Sequence, residues 1–249
     1  MRELKTSALS KSAGSVDRYR IMSWTDHVRN QTKLYWYVHN LVDHSFVKEV
    51  LSPYSSRLPV VYPAVSGSQV MLAGMAMVYA LRGATGQLEA LWNETHLRNY
   101  NCPTYPGRYV AMALMDQYQR SGKEVNFKTL PPNLTATAQD VEQLIYALSP
   151  LLPKQWSVQN IHPRSLHPDL PADGNLIAND TYWKVKTSSS RCPVNMDLIV
   201  QCLGYWCLHP TKTISILLPR HQRILTINVK DLVGGKKLSD AAKGFVSLI

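Results

Sequence analysis

No apolar run in this chain approaches the roughly 18 residues that a membrane-spanning helix requires, so no membrane partner is expected. Acidic side chains are scarce: 17 Asp and Glu stand against 27 Lys and Arg, a net charge of +10. That balance favours a polyanionic partner, nucleic acid first among them. Cysteine is limited to Cys102, Cys192, Cys202 and Cys207, with no C-x-x-C spacing among them. Cys202 and Cys207 share one helical stretch, roughly 140° apart around its axis at about 3.6 residues per turn. Free buried thiols in a reducing cytoplasm are therefore expected. The eight histidines are scattered, and His162 and His167, which flank a proline-rich loop, have no partner at a zinc-like spacing. Met1-Arg-Glu-Leu-Lys-Thr-Ser7 has no apolar core behind its charges, so no secretory signal is expected. The Asn-x-Thr sites at Asn30, Asn93, Asn133 and Asn179 then carry no glycosylation. Repeats and low-complexity tracts are absent.

What is present is the material of a folded α/β protein. Hydrophobic residues make up 45% of the 249 positions, enough for a sizeable core. Residues 1–20 read as a flexible tail, 21–150 as a helical part and 151–249 as an α/β core that packs with it into one compact domain. Ser23 or Thr25 is placed to cap a helix reaching about Asn40, with Val28, Leu34, Tyr35 and Val38 on one face. Further helices are predicted over Ser45–Leu51, Ser66–Leu81, Pro106–Gln119 and Thr137–Leu148. In the last of these, Thr135 and Thr137 are candidate caps and Asp140 and Glu142 complement the first turn. After Leu148-Ser-Pro-Leu-Leu-Pro153 the pattern changes. A β-hairpin is predicted, with Leu176 and Ile177 in its first strand, Asn179-Asp180 as the turn and Thr181–Thr187 returning. A helix over Val194–Leu208, strands over Thr213–Leu218 and Arg223–Val229, and a short helix from Ser239 follow.

The order hairpin, helix, strand, strand, with Gln201-x-x-x-Tyr205 on the helix, resembles the PD-(D/E)XK nucleases in their RecB-like branch. The resemblance spans roughly residues 55–232. Its upstream part is the pattern Pro59-Val-Val-Tyr-Pro63 followed by Gly74-x-Ala76-x-Val78-Tyr79, which is similar to a group of uncharacterised actinobacterial proteins. It implies a restriction-endonuclease-like core, a mixed central sheet flanked by helices, with a helical N-terminal elaboration. It also implies inherited site positions at Asn175, Lys184, Lys186, Gln201 and Tyr205. The spacings match but the acids do not. Asn175 stands where the family has a metal-binding Asp, Lys184 where it has Asp or Glu, and Val78 where a third acid is found. Some members carry an iron–sulfur cluster on four cysteines; the count matches here and the spacing does not.

Hydrolysis in that family needs Mg²⁺, a hard cation that takes oxygen ligands. The metal polarises the phosphate and activates water, while the lysine orients that water or steadies charge. An amide carbonyl is a weak neutral ligand, and an ammonium repels the ion. Lys184 and Lys186 are two apart on a strand, so both point to one face and make an anion site. No resident cofactor is expected.

Three function classes follow. The first is a catalytically degenerate nuclease fold that binds nucleic acid, DNA ahead of RNA, as a subunit of a mobile-element, CRISPR-type or bacterial defence complex. Lys184, Lys186, Arg191, Arg220 and Arg223 would face the phosphates. The second is an active Mg²⁺-dependent DNA nuclease with relocated acids, such as Asp173 with Asp180 or Asp197, or one whose acids were changed by mutation; an Asp-Gly at 173 is also a common turn. The third is a scaffold that binds only other proteins.

Overall fold

The computed structural model describes residues 23–55, 58–93, 102, 104–120, 134–161 and 174–249. The tail at 1–20 and Asp173 lie outside them. The chain folds as an α/β protein around a mixed five-stranded sheet in sequence order. The strands are β1 (Val158–Asn160), β2 (Leu176–Ala178), β3 (Thr181–Val185), β4 (Thr213–Leu218) and β5 (Arg223–Asn228). All pairings are antiparallel except β3 with β4, which is parallel from Thr181 opposite Thr213 to Val185 opposite Leu217. A parallel pair needs a crossover, and α8 (Met196–Leu208) supplies it.

The hairpin forms where its turn chemistry says it should. Asn179 and Asp180 both take positive φ, 55° and 52°, the left-handed pair that matches the twist of two flanking strands. The return strand ends at Val185, two residues short of the expected Thr187. Alternation then sorts its side chains: Tyr182 faces one layer of helices, Trp183 and Val185 the other.

Helices cover both faces. On one side lie α1 (Trp24–Arg29), α2 (Lys33–Leu41), α8 and α10 (Leu238–Val246), packed on Tyr182, Ile214, Ile216 and Ile227. On the other lie α4 (Ser68–Arg82), α5 (Leu88–Asn93), α6 (Tyr105–Arg120) and α7 (Leu134–Leu148), packed on Leu176, Trp183, Val185 and Leu217. Two further helices among the described residues are α3 (His44–Ser55) and the single turn α9 (Val229–Leu232). Helix α3 runs beside the β5 edge. The Asp43 N–H before it donates to the Leu232 carbonyl at 2.8 Å, and the Tyr54 hydroxyl near its end donates to Ile224 at 3.1 Å. A helix laid along an exposed strand blocks unwanted pairing there.

Two expectations needed correction. The single helix expected from Ser23 to Asn40 is broken into α1 and α2, with Gln31 at φ 46°. Ser23 does cap α1, in a reciprocal capping box with Asp26. Helix α7 begins at Leu134, so Thr135 and Thr137 are inside it, and Asp140 is buried instead of complementing a first turn. No helix among the described residues is long and apolar enough to cross a membrane.

Candidate functional site

The face of β3 that meets α8 carries Tyr182 and Lys184, with Lys186 just past the strand end. Residues 182 and 184 are one pleat apart, so both side chains rise towards the same helix. Tyr182 is 1% exposed and stacks on Tyr205 of α8, ring centroids 5.6 Å apart at 25°. The Lys184 Nζ lies over the same Tyr205 ring, 5.4 Å from its centre. Lys184 is half-buried, Lys186 exposed. The Lys186 N–H donates to the Leu217 carbonyl at 2.9 Å, prolonging the parallel ladder by one bond.

Burial governs the charges here. It lowers the Lys184 amine below the ordinary lysine range, and the Cys202 thiol opposes that shift. Lys186 is lowered by desolvation first and by the Lys184 ammonium second. The Cys202 thiol is pushed up to about 12 by burial, against the pull of both lysines. Tyr182 is raised well above its usual value, again mainly by burial.

Asn175 precedes β2. Leu176 pairs with Trp183, so Asn175 lies opposite Lys184. It is 7% exposed, and its Oδ1 accepts the Val185 N–H at 2.7 Å. That bond ties the open end of the hairpin where the backbone ladder stops. Arg82, from the end of α4, donates to the Asn175 and Gly174 carbonyls at 2.9 and 3.1 Å and lies over the Tyr79 ring. Arg82 escaped the sequence reading. The available signal was an arginine at the end of an otherwise apolar helix, since a buried guanidinium requires acceptors.

The sequence-derived residues are only partly brought together. Asn175, Lys184 and Tyr205 converge, with Lys186 beside them. Gln201 does not join: its Nε2 donates to Thr25 Oγ1 at 3.2 Å, and its carbonyl accepts the Trp24 indole N–H at 2.8 Å. It therefore secures α1 on α8, and Cys202 takes the place beside the lysines that Gln201 was expected to fill. Arg220, expected at a basic rim, is fully buried in a two-bond pair with Asp140, at 3.1 and 2.6 Å. Its Nε also donates to the Thr187 carbonyl at 3.1 Å. A guanidinium committed in this way is not a phosphate ligand. Arg191 and Arg223 are exposed.

The residues do not fit Mg²⁺. The Asn175 oxygen is engaged by a backbone N–H, and the position opposite it is an amine. Val78, on α4, contributes no acid. Asp180 pairs with Lys212 at 3.2 Å and Asp197 accepts the Tyr35 hydroxyl at 2.8 Å. That contact, together with burial as the larger cause, pushes Tyr35 up to about 12. Among the described residues, no three His, Cys, Asp or Glu side chains gather where they could hold a metal ion. None of the four cysteines forms a disulfide among the described residues; Cys192 is exposed and the others are buried.

A second feature lies across the sheet end. A cleft of about 570 Å³ is bounded by Tyr54, Val60, Leu151, His221, Arg223 and Ile224 among others. His221 is buried, and its Nδ1 is 3.0 Å from the Pro59 carbonyl. A carbonyl only accepts, so Nδ1 carries the proton. No protein-family model, curated protein or solved structure matches the chain.

Proposed function

We propose that this protein is a catalytically silent member of the PD-(D/E)XK nuclease class that binds nucleic acid, working as a subunit of a mobile-element, CRISPR-type or defence assembly. The observation that carries this reading is the Asn175–Lys184 pair at the open end of the hairpin. A neutral amide and an amine stand opposite each other where metal-holding carboxylates would sit. The element order supports it: hairpin, helix α8, then β4 parallel to β3 and β5 antiparallel to β4. The net charge of +10 supports a polyanionic partner.

The phosphate-facing set is narrower than composition alone indicated. Lys186, Arg191 and Arg223 are exposed, whereas Lys184 is drawn onto Tyr205 and Arg220 is sealed against Asp140. Lys184 therefore acts as part of the floor, and the exposed three are the candidate contacts.

The reading is tested by incubating the protein with plasmid and single-stranded DNA in Mg²⁺ or Mn²⁺. Both should remain intact while a gel shift reports binding. Cleavage abolished by Lys186→Ala would promote the active-nuclease reading. Intact DNA with no gel shift for DNA or RNA would promote the protein-only scaffold.

A further inference from the structure

His39 and His44 are five residues apart across the junction of α2 and α3, a spacing with no obvious meaning in one dimension. The junction folds one imidazole towards the other, leaving ring centroids 4.6 Å apart with planes at 54°. His39 is braced on its other sides by Tyr35 at 5.6 Å and Trp36 at 4.9 Å, so its ring is held in place. Its Nδ1 is buried and has no hydrogen-bond partner among the described residues. His44 is exposed. A covered polar nitrogen left without a partner is unfavourable.

We propose that His39 and His44 form a two-imidazole site for a borderline divalent metal of the zinc class, which clips the end of α2 to the start of α3. With Zn–N near 2.1 Å and a ring nitrogen about 1.1 Å from its centroid, each centroid would lie about 3.2 Å from the metal. Centroids separated by 4.6 Å then subtend about 90° at the ion, and a slight opening of the exposed His44 reaches the tetrahedral angle. Imidazole nitrogens select zinc, copper and nickel over magnesium and calcium. Solvent completes the shell. Asp43, between the two histidines, is committed elsewhere, its Oδ1 accepting the Ser45 and Phe46 N–H groups at 3.0 Å each. Lys236 Nζ donates to the carbonyl of Asn40, the residue after His39, at 2.6 Å, so the metal binds against some like charge.

This site is independent of the nucleic-acid reading. Its test is equilibrium dialysis of the full chain against Zn²⁺, paired with thermal melting in Zn²⁺ and in Mg²⁺. Wild type should retain one more equivalent of Zn²⁺ than His44→Ala, and its Tm should rise in Zn²⁺ but not in Mg²⁺. The Tm shift, taken against each protein's own metal-free melt, should vanish in His44→Ala. His39→Gln should lose the same equivalent. Equal Zn²⁺ uptake and equal Tm shifts in wild type and both variants would overturn the proposal, as would a wild type that takes up no Zn²⁺.

Discussion

A lysine ammonium laid over a tyrosine ring exchanges part of its hydration for attraction to the ring face. At Lys184 that exchange is incomplete, because burial still lowers the amine below its ordinary 10.5. The unfolded chain then binds more protons than the folded one between the lowered value and 10.5. Stability accordingly rises with pH across that window. Lys184→Met removes the charge and should melt higher than wild type at pH 7. Its advantage should shrink as pH climbs towards 10, as melting curves at several pH values will show. A constant difference would mean that Lys184 is not desolvated. Asn175 acts differently, as a structural latch. Asn175→Ala leaves the buried Val185 N–H without an acceptor, so a loss of about 1–3 kcal/mol is expected in denaturant unfolding. Asn175→Asp keeps the acceptor and should lose less.

Among the elements, α1 and α8 are in close contact at Gly204. A Cβ there would run into the Trp24 indole, which is fully buried and donates to the Gln201 carbonyl. Gly204→Ala should lower stability by about 1–3 kcal/mol through overpacking. Trp24→Ala should lower it by about 3–5 kcal/mol through the void left behind. Both are measured by chemical unfolding. The hairpin, α8, β4 and β5 were legible because their signals are local: Asn-Asp in a two-residue turn, period-2 alternation, and an apolar run of helical length. Strand β1 was not, since three residues with an irregular register carry no periodicity. Gln201 was misplaced for a related reason. Helical spacing put it on one face with Tyr205, but which neighbour that face meets depends on Thr25 and Trp24, some 176 residues away in the chain. Asp140 read as a helix-dipole residue because nothing local announces a partner 80 positions downstream.

On the scale of the whole molecule, Arg220 and Asp140 join the β4–β5 connection to α7, and Asp140 also accepts the Ala64 N–H at 3.2 Å. Removing one partner strands a buried charge. Asp140→Ala should therefore lose about 3–5 kcal/mol in an unfolding titration, more than either surface arginine. Replacing both partners by apolar residues should recover part of that. The same burial explains why net charge overstates the exposed cationic surface: of the five cations proposed to face phosphate, Arg220 is internal and Lys184 is tucked onto an aromatic ring. What remains exposed is Lys186, Arg191 and Arg223, each of which, on the proposed reading, would displace counterions from a phosphate. The most direct test is fluorescence anisotropy of a labelled DNA strand across a salt series, with wild type and the triple variant Lys186→Glu, Arg191→Glu, Arg223→Glu. Wild-type affinity should fall steeply with salt, and the variant should bind more weakly with a slope flatter by roughly two to three units. Affinity and slope unchanged in the variant would contradict a nucleic-acid face built on these residues.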